Sequence, residues 1–362
     1  MNNELIRTLF KSKSNEILND LLEITALNGN MREFGKRIDF IKKKLPIKTE
    51  IDHSGNAVVR LGSGKRHILI PVGIDDGYFS EVDKRFKFFK KNIYGLGISD
   101  NLKIVLAIKA AEFLAVNDPY GNLTVKFLFY CGQHSNYEGL SSYLERPDGS
   151  LGITLNGTSV NRIGTREMNF LHLRMFKNAE EGKEPYFALM RKVCEIEEEL
   201  RDKWTIGLKK VLYLPRKDFY PRVASIDIVV TSKDKNAEEA VKDILPLLPK
   251  DIFHSAVYKY NAAEWEGKGA VKKIFDEALE EISKDEGFTL FPIENFIAHE
   301  TSVLKKAGLN AFDIGLFTYT QGGMDTEEVV LPTVNMGFRL LFAILNKIDS
   351  SEEDIGKKQQ ID

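Results

Sequence analysis

Apolar residues recur at helical spacing in two runs between Ser14 and Leu45, with Gly29 between the runs, and this pattern predicts a pair of helices. A hairpin turn is indicated at 54–56, where Ser-Gly-Asn separates two short apolar stretches. The uncharged run at 68–72 favours a strand that is covered on both faces. We therefore expect a central sheet to begin in this part of the chain.

A long helix and two more strands follow. Asp100 and Asn101 can cap a helix that runs to Leu114, and its residues are apolar on nearly every face, so the helix should be buried. The runs 125–130 and 151–155 have the composition of central strands. Strand, helix and strand in this order predict an α/β core with right-handed crossovers.

The periodicity changes near Arg166 and changes back near Trp265. Between these points the pattern indicates alternating strands and helices, at 170–176, 185–200, 223–230, 237–245 and 253–260. Their order fits the βαββαβ, or ferredoxin-like, arrangement. After this insert the pattern indicates a helix ending at 282, strands at 288–291 and 309–316, and a long apolar helix at 327–348.

The sequence thus predicts an α/β protein of two domains. A catalytic-type domain consists of 1–165 and 265–349, and a ferredoxin-like lid domain at 166–264 is inserted into it. The remaining segment, 350–362, is polar apart from one isoleucine and is expected to be disordered.

Composition and charge exclude several classes of function. The 362 residues carry 51 Lys and Arg against 53 Asp and Glu, so a net charge of −2 disfavours nucleic-acid binding. No run of about 18 uncharged apolar residues is available to span a membrane. The two cysteines offer neither a disulfide framework nor a zinc knuckle. We expect a soluble cytoplasmic protein without a membrane or nucleic-acid partner.

Candidate chemistry lies where the predicted central strands end, because open α/β sheets bind ligands outside the carboxyl ends of their strands. Four segments meet this criterion: PVGIDDGYFS (71–80), YGLGISDNLK (94–103), FYCGQHSNYEGL (129–140) and YTQGGMDTEEVV (319–330). The third glycine of a dinucleotide fingerprint is missing from the second segment, which argues against a nucleotide cofactor.

The order of elements, the ferredoxin-like insert and the motif YGLGISDNLK together resemble the di-zinc amidohydrolases and exopeptidases. That family includes acetylornithine deacetylase, succinyl-diaminopimelate desuccinylase, aminoacylase and carboxypeptidase G. The motif is similar to the family's Gly-Arg-Gly-x-x-Asp-x-Lys-Gly run, and the resemblance covers about 14–348. It implies a zinc-exopeptidase-like α/β/α core with a lid, and a pair of zinc ions that activates water for attack on an amide.

Position by position, the resemblance implies an eroded metal site. The family's His-x-Asp stands here as Gly73-Ile74-Asp75, so the ligand histidine is missing, while Asp100 matches the aspartate that bridges the two zinc ions. Gln133-His134 falls about where the family has a Glu-Glu pair, which removes the general base. Asn156 stands near an expected carboxylate ligand. No histidine follows His299, although the family has a ligand histidine near its last helix.

The vestigial metal candidates are therefore Asp75, Asp76, Asp100 and His134, and no catalytic residue is assigned. Each has a structural alternative. Asp75 and Asp76 can form a turn with Gly77, and Asp100 can cap its helix. His134 can be an ordinary polar loop residue.

Two functions remain open at this point. The first is a non-hydrolytic homologue that binds a peptide-like or acyl-amino-acid ligand, or a protein partner. The alternative is an active metal-dependent amidohydrolase or exopeptidase with a rearranged or single-metal site, for which zinc would be the cofactor. In either case, a homodimer could form through the lid domain.

Overall fold

The computed structural model describes most of the chain: residues 3–27, 29, 34–45, 47–75, 86–133, 137–145, 151–166, 169–178, 184–214, 223–232, 234–261, 268–296, 299–320 and 327–351. The chain forms two compact units. The first consists of Met1–Arg166 and Trp265–Asp362, and the second of Glu167–Glu264. Each unit has its own hydrophobic core.

The helices and strands are numbered here in chain order. The helices are α1 (Asn3–Ser12), α2 (Ser14–Thr25), α3 (Phe34–Lys44), α4 (Ile98–Asn117), α5 (Glu138–Tyr143), α6 (Pro185–Leu200), α7 (Ala237–Ile244), α8 (Lys268–Glu286), α9 (His299–Lys306) and α10 (Pro332–Ser350). The strands are β1 (Glu50–Ile51), β2 (Ala57–Leu61), β3 (Arg66–Gly73), β4 (Lys87–Phe89), β5 (Asn92–Gly95), β6 (Leu123–Tyr130), β7 (Leu151–Thr154), β8 (Arg162–Arg166), β9 (Asn169–Asn178), β10 (Thr205–Leu214), β11 (Val223–Ser232), β12 (Phe253–Tyr260), β13 (Ile293–Phe296), β14 (Asn310–Ile314), β15 (Thr318–Thr320) and β16 (Glu327–Val330).

The first unit is built on an eight-stranded mixed sheet with the order β1-β2-β6-β3-β7-β14-β8-β13. Its centre is parallel, because β3 runs parallel to both β6 and β7, and β7 runs parallel to β14. All eight residues of β6 are buried, as are all four of β7. Continuous apolar runs are typical of parallel strands with both faces covered, so the predicted central strands are confirmed here.

Helix α4 supplies much of the core of this unit. Ile98 begins the helix after Gly97, whose φ of 64° places it in the left-handed region. Most of the helix residues are buried, as the apolar pattern predicted. Asp100 lies in the first turn of the helix instead of capping it, so the predicted capping role is wrong. The cap is Gly97, three residues earlier, because glycine adopts the left-handed conformation there.

A separate four-stranded sheet of order β15-β16-β5-β4 also belongs to the first unit. The residues 327–330 form β16, antiparallel to β5, and α10 begins only at Pro332. The predicted helix start at 327 is therefore wrong. Proline at the first helical position accounts for the true start, since it lacks the N–H that a helix interior needs.

The predicted strand at 288–291 is also wrong. The strand β13 begins at Ile293, after Pro292, and Phe288 and Phe291 are exposed. Proline has no N–H group to donate to a neighbouring strand, so the strand begins immediately after Pro292.

The second unit has an antiparallel sheet of order β10-β11-β9-β12. Its chain order is strand, helix, strand, strand, helix, strand, and its core is formed by the inner faces of the sheet with α6 and α7. Helix α7 begins with a capping box, in which the Asn236 side chain accepts from the Glu239 N–H and the Glu239 carboxylate accepts from the Asn236 N–H.

Within the described residues, no helix combines the length and the apolar character that crossing a membrane requires. Most of the predicted disordered tail, 352–362, lies outside the described residues.

Candidate functional site

Polar side chains of the first unit meet at the carboxyl ends of its central strands. Asp75 follows β3, Gln133 follows β6 and Asn156 follows β7, while Asp100 and Lys103 come from the first two turns of α4. Because β3, β6 and β7 are mutually parallel, their carboxyl ends lie at one edge of the sheet. This edge is the predicted location of the site.

Asp75 fixes the turn after β6. One oxygen, Oδ1, accepts hydrogen bonds from the backbone N–H groups of Gly132 at 2.9 Å and of Gln133 at 2.8 Å. The side chain is only 2% exposed. Asp75 therefore holds Gln133 in position by accepting a hydrogen bond from the Gln133 backbone. This role is structural and does not depend on a bound metal ion.

The Gln133 side chain bridges the strand ends to α4. Its Nε2 donates to Asp100 Oδ1 at 2.8 Å, and its carbonyl oxygen faces Gly73. A Cβ built on Gly73 would lie 2.0 Å from Gln133 Oε1 and 2.6 Å from Gln133 Cβ. The missing histidine and the glutamine are therefore linked, since any side chain at 73 would displace the Gln133 side chain.

Lys103 is the cation at the centre of this arrangement. Its Nζ donates to Gln133 Oε1 and to Asn156 Oδ1, each at 2.8 Å, and lies 3.4 Å from Asp100 Oδ1. The residue is 4% exposed. Asp100 and Lys103 are three residues apart on a helix, and this spacing places both side chains on one face.

A second carboxylate lies behind Asn156. The Asn156 amide nitrogen and the Tyr130 hydroxyl both donate to the carboxylate of Glu300, at the start of α9. Glu300 is 1% exposed. The amide of Asn156 thus has its oxygen directed to Lys103 and its nitrogen directed to Glu300.

Burial changes the acidity of two carboxyl groups near the site. Desolvation raises the pKa of Glu300, although Lys103 and the hydroxyl of Tyr130 oppose the change. Desolvation also raises the pKa of Asp313, on β14, to about 7, against hydrogen bonds from the Thr154 hydroxyl and the Asn156 N–H. Both carboxyl groups are therefore harder to ionise in the folded protein than in water.

The start of α4 is held by a carboxylate from another strand. Glu327 on β16 accepts from the Ser99 N–H at 2.9 Å and from the Ser99 hydroxyl at 2.8 Å. An anion at a helix N-terminus is favourable because the first N–H groups have no partner within the helix. Glu327 therefore fixes the turn that carries Asp100 and Lys103.

The structure places two of the four predicted metal candidates in this network. Asp75 and Asp100 both contact Gln133, by its backbone and by its side chain. Asp76 and His134 lie outside the described residues. Sequence reasoning gave no role to Lys103 or Glu300. A signal for Lys103 was present: lysine is unexpected in a helix that is apolar on nearly every face.

The described residues do not fit a di-zinc centre. Zinc sites use histidine nitrogen, cysteine sulfur or carboxylate oxygen, whereas Gln133 and Asn156 present neutral amides here. Gly73 has no side chain, and there is no space for one. No group of three or more His, Cys, Asp or Glu side chains in the described part of the chain is arranged to hold a metal ion. An ammonium ion, which repels metal cations, lies among the remaining oxygen atoms.

Comparison with known proteins gives a result for structure only. Neither the family models nor the curated proteins include a match to this sequence. Among solved structures, a tripeptidase from Staphylococcus aureus has a TM-score of 0.68 at 14% identity, covering 92% of this chain and 98% of that chain. Human carnosine dipeptidase 1 has a TM-score of 0.70 at 10% identity, covering 97% and 100%.

A third similar structure is that of a metal-binding peptidase. The YXEP protein of Bacillus subtilis, a dinuclear metal binding peptidase from the M20 family, has a TM-score of 0.60 at 12% identity, covering 94% of this chain and 99% of that chain. The chain therefore has the fold of the M20 peptidases and amidohydrolases, and the predicted fold class is confirmed.

Proposed function

We propose that this protein is a non-hydrolytic homologue of the M20 peptidases, which binds a peptide-like or acyl-amino-acid ligand at the carboxyl edge of its central sheet. The observation that carries the proposal is the set of groups around Asp100. They are an ammonium and the amides of Gln133 and Asn156, where a hydrolytic di-zinc centre would need anionic or imidazole ligands.

The ligand class is supported by the fold. The similar structures are a tripeptidase, a dipeptidase and a dinuclear peptidase, so a peptide-like molecule is the chemistry that this fold accommodates in those proteins. Fold alone does not transfer function, and the proposal depends on the site for its second half, the lack of hydrolysis. General-base assistance alone contributes about 10² to 10⁴-fold to a rate, and the resemblance puts Gln133-His134 about where the family has its Glu-Glu pair.

Binding and turnover can be measured on the same preparation. Wild-type protein is titrated calorimetrically with a panel of N-acetyl amino acids and dipeptides, and the same mixtures are analysed for hydrolysis by mass spectrometry with added Zn²⁺, Mn²⁺ or Co²⁺. We expect saturable binding of at least one compound without product formation. The exposed residue Asp39 gives a matched control, since Asp39→Asn should bind as wild type does.

Two results would contradict the proposal in different ways. Metal-dependent turnover that Asp100→Ala abolishes would establish the alternative, an active hydrolase with a rearranged or single-metal site. If neither binding nor turnover is observed, the proposal of a small-molecule ligand is excluded, and a protein partner would then be sought by cross-linking.

Association of two copies through 166–264 stays a prediction, which light scattering at several protein concentrations would test.

A further inference from the structure

The Lys103 ammonium lies where three oxygen atoms converge. Two are amide carbonyl oxygens at 2.8 Å, from Gln133 and Asn156, and the third is the Asp100 carboxylate oxygen at 3.4 Å. Each of these three residues stands at, or close to, a position that the family uses for a metal ligand. The ammonium therefore contacts the same part of the protein that would contact a metal ion.

The two amides link this cation to two carboxylates. Gln133 accepts from Lys103 and donates to Asp100, and Asn156 accepts from Lys103 and donates to Glu300. Only a side chain with both a donor and an acceptor can make such a link, because an ionised carboxylate has no hydrogen to donate. This requirement explains why neutral amides, instead of glutamate and aspartate, suit a site whose cation is an ammonium.

Charge balance favours an ammonium at this position. Glu300 is almost completely buried within the electrostatic reach of Lys103, and Asp100 is partly buried beside the same ammonium. Buried carboxylates without a nearby cation are strongly unfavourable, and removing one partner of a buried pair leaves the other uncompensated. Lys103 is itself 4% exposed, so the carboxylates and amides in turn compensate its own loss of water.

We propose that the Lys103 ammonium is the resident cation of this site, and that it supplies the positive charge which metal ions supply in dinuclear relatives of this fold. The protein would then be complete without a metal, and its stability would not respond to chelators. This inference rests on the proposed function only in treating the site as non-hydrolytic. The experiments below measure unfolding and bound cations instead of ligand binding. The inference about Lys103 can therefore fail while ligand binding is observed, and it can hold while ligand binding is absent.

The test compares two substitutions of Lys103 that differ in the space they leave. Lys103→Ala removes the charge and opens a narrow hole, whereas Lys103→Met removes the charge and fills the hole with a chain of similar length. Each variant and wild type are heated in propylammonium chloride, which can place an ammonium in the hole. Tetramethylammonium chloride at the same concentration is the control, because this ion has no N–H to donate.

We expect both variants to unfold at a lower temperature than wild type. Propylammonium should raise the Tm of Lys103→Ala by about 2 to 4 °C at ten times its Kd, and tetramethylammonium should not. Neither ion should act selectively on Lys103→Met, where the hole is filled, or on wild type, where the ammonium is present. A chelator should leave the wild-type Tm unchanged.

Two results would overturn the inference. The first is a wild-type Tm that both substitutions leave unchanged, since the site would then need no cation. The second is near-stoichiometric Zn²⁺ or Mn²⁺ in wild type after incubation and gel filtration, if Asp100→Asn removes it, since a metal would then be the cation. The metal measurement and Lys103→Met still decide the matter if Lys103→Ala does not fold.

Discussion

At the scale of single residues, the site depends on which atoms each side chain presents. Gln133 and Asn156 each present an oxygen to Lys103 and a nitrogen to a carboxylate. Glutamate at 133 would place a second negative charge beside Asp100 and would lose the hydrogen bond that Nε2 now donates. The amides at 133 and 156 therefore suit the ammonium of Lys103 and the carboxylates beside it.

The pair Gly73 and Gln133 gives the first prediction. Gly73→Ala should lower the free energy of unfolding by about 1 to 3 kcal/mol, because the new methyl group would lie 2.0 Å from Gln133 Oε1. Urea unfolding measures the change. Gly121→Ala is a matched control, since no atom lies within 4 Å of a Cβ at that exposed position.

The same pair allows a test of coupling. In the double variant Gly73→Ala with Gln133→Ala, the cost should be smaller than the sum of the two single costs, because shortening Gln133 removes the 2.0 Å contact with Oε1 and keeps only the 2.6 Å contact with Cβ. Additive costs would mean that the end of the Gln133 side chain does not limit the space beside Gly73.

Asp313 gives a prediction about pH. Its pKa is raised to about 7 by burial, so the folded state resists ionisation that the unfolded state undergoes near pH 4. The unfolded chain therefore loses its proton first as pH rises, and the fold is progressively destabilised between about pH 4 and 7. Asp313→Asn keeps an oxygen for Thr154 and for the Asn156 N–H but cannot ionise.

We expect Asp313→Asn to be more stable than wild type at pH 8, by up to about 4 kcal/mol, and to show no advantage at pH 4. Urea unfolding at the two pH values provides the comparison, with Asp39→Asn, on the exposed face of α3, as the control. An equal difference at both pH values would show that the effect does not come from ionisation of Asp313.

At the scale of helices and strands, the buried elements could be predicted and the exposed boundaries could not. The runs that became β3, β6 and β7 were recognisable because nearly all the residues of these strands are buried. The change from β16 to α10 was missed because the four residues of β16, Glu-Glu-Val-Val, suit the first turn of a helix as well as a strand, so only pairing with β5 distinguishes them.

The candidate site was predictable to the same extent. Asp75, Asp100, Gln133 and Asn156 follow recognisable strands or begin a recognisable helix, and the resemblance directed attention to them. The role of Lys103 depends on where its long side chain ends, and the link between Gly73 and Gln133 depends on contact between different strands. Neither can be obtained from spacing along one chain.

The packing of α10 gives a prediction at this scale. A Cβ on Gly337 would lie 1.9 Å from the backbone oxygen of Leu316, which cannot move aside as the end of a side chain can. Gly337→Ala should therefore destabilise the protein by about 3 kcal/mol or more, or prevent α10 from docking. Thermal unfolding, with far-UV circular dichroism to check helix content, measures the effect.

Gly269 in α8 is the matched control for Gly337. Nothing lies within 4 Å of a Cβ at this position, so Gly269→Ala should be neutral or stabilising by up to about 1 kcal/mol through helix propensity. Similar costs for the two substitutions would mean that close approach to Leu316 does not limit position 337.

At the scale of the whole molecule, the two units respond to pH with opposite signs at their most perturbed carboxyl groups. In the first unit burial raises the pKa of Asp313 and Glu300. In the second unit burial alone would raise the pKa of Asp227, but hydrogen bonds from Arg174 and His172 outweigh it and hold this pKa well below its usual range. As pH falls, protonation of Asp313 and Glu300 therefore stabilises the folded state, whereas protonation of Asp227 destabilises it.

Asp227 lies between Arg174 and His172 on the sheet of the second unit. Its oxygens accept from Arg174 Nε at 2.8 Å, from the terminal guanidinium nitrogen Nη2 at 2.9 Å and from His172 Nε2 at 3.1 Å. Because the folded pKa is below the unfolded value, the stabilisation is complete above about pH 4 and is lost as pH falls further.

Asp227→Asn should therefore lower the stability of the second unit at pH 7 by about 1 to 3 kcal/mol, a range that allows for the solvent around the half-exposed Arg174. The difference from wild type should shrink as pH falls towards 2, where the wild-type carboxyl also loses its charge advantage. Asp202→Asn, at an exposed position of the same unit, should change stability at neither pH. Hydrogen exchange read separately over 169–261 and over the first unit would locate the loss. A deficit that persists undiminished in acid would mean that Asp227 stabilises the sheet by packing instead of by charge.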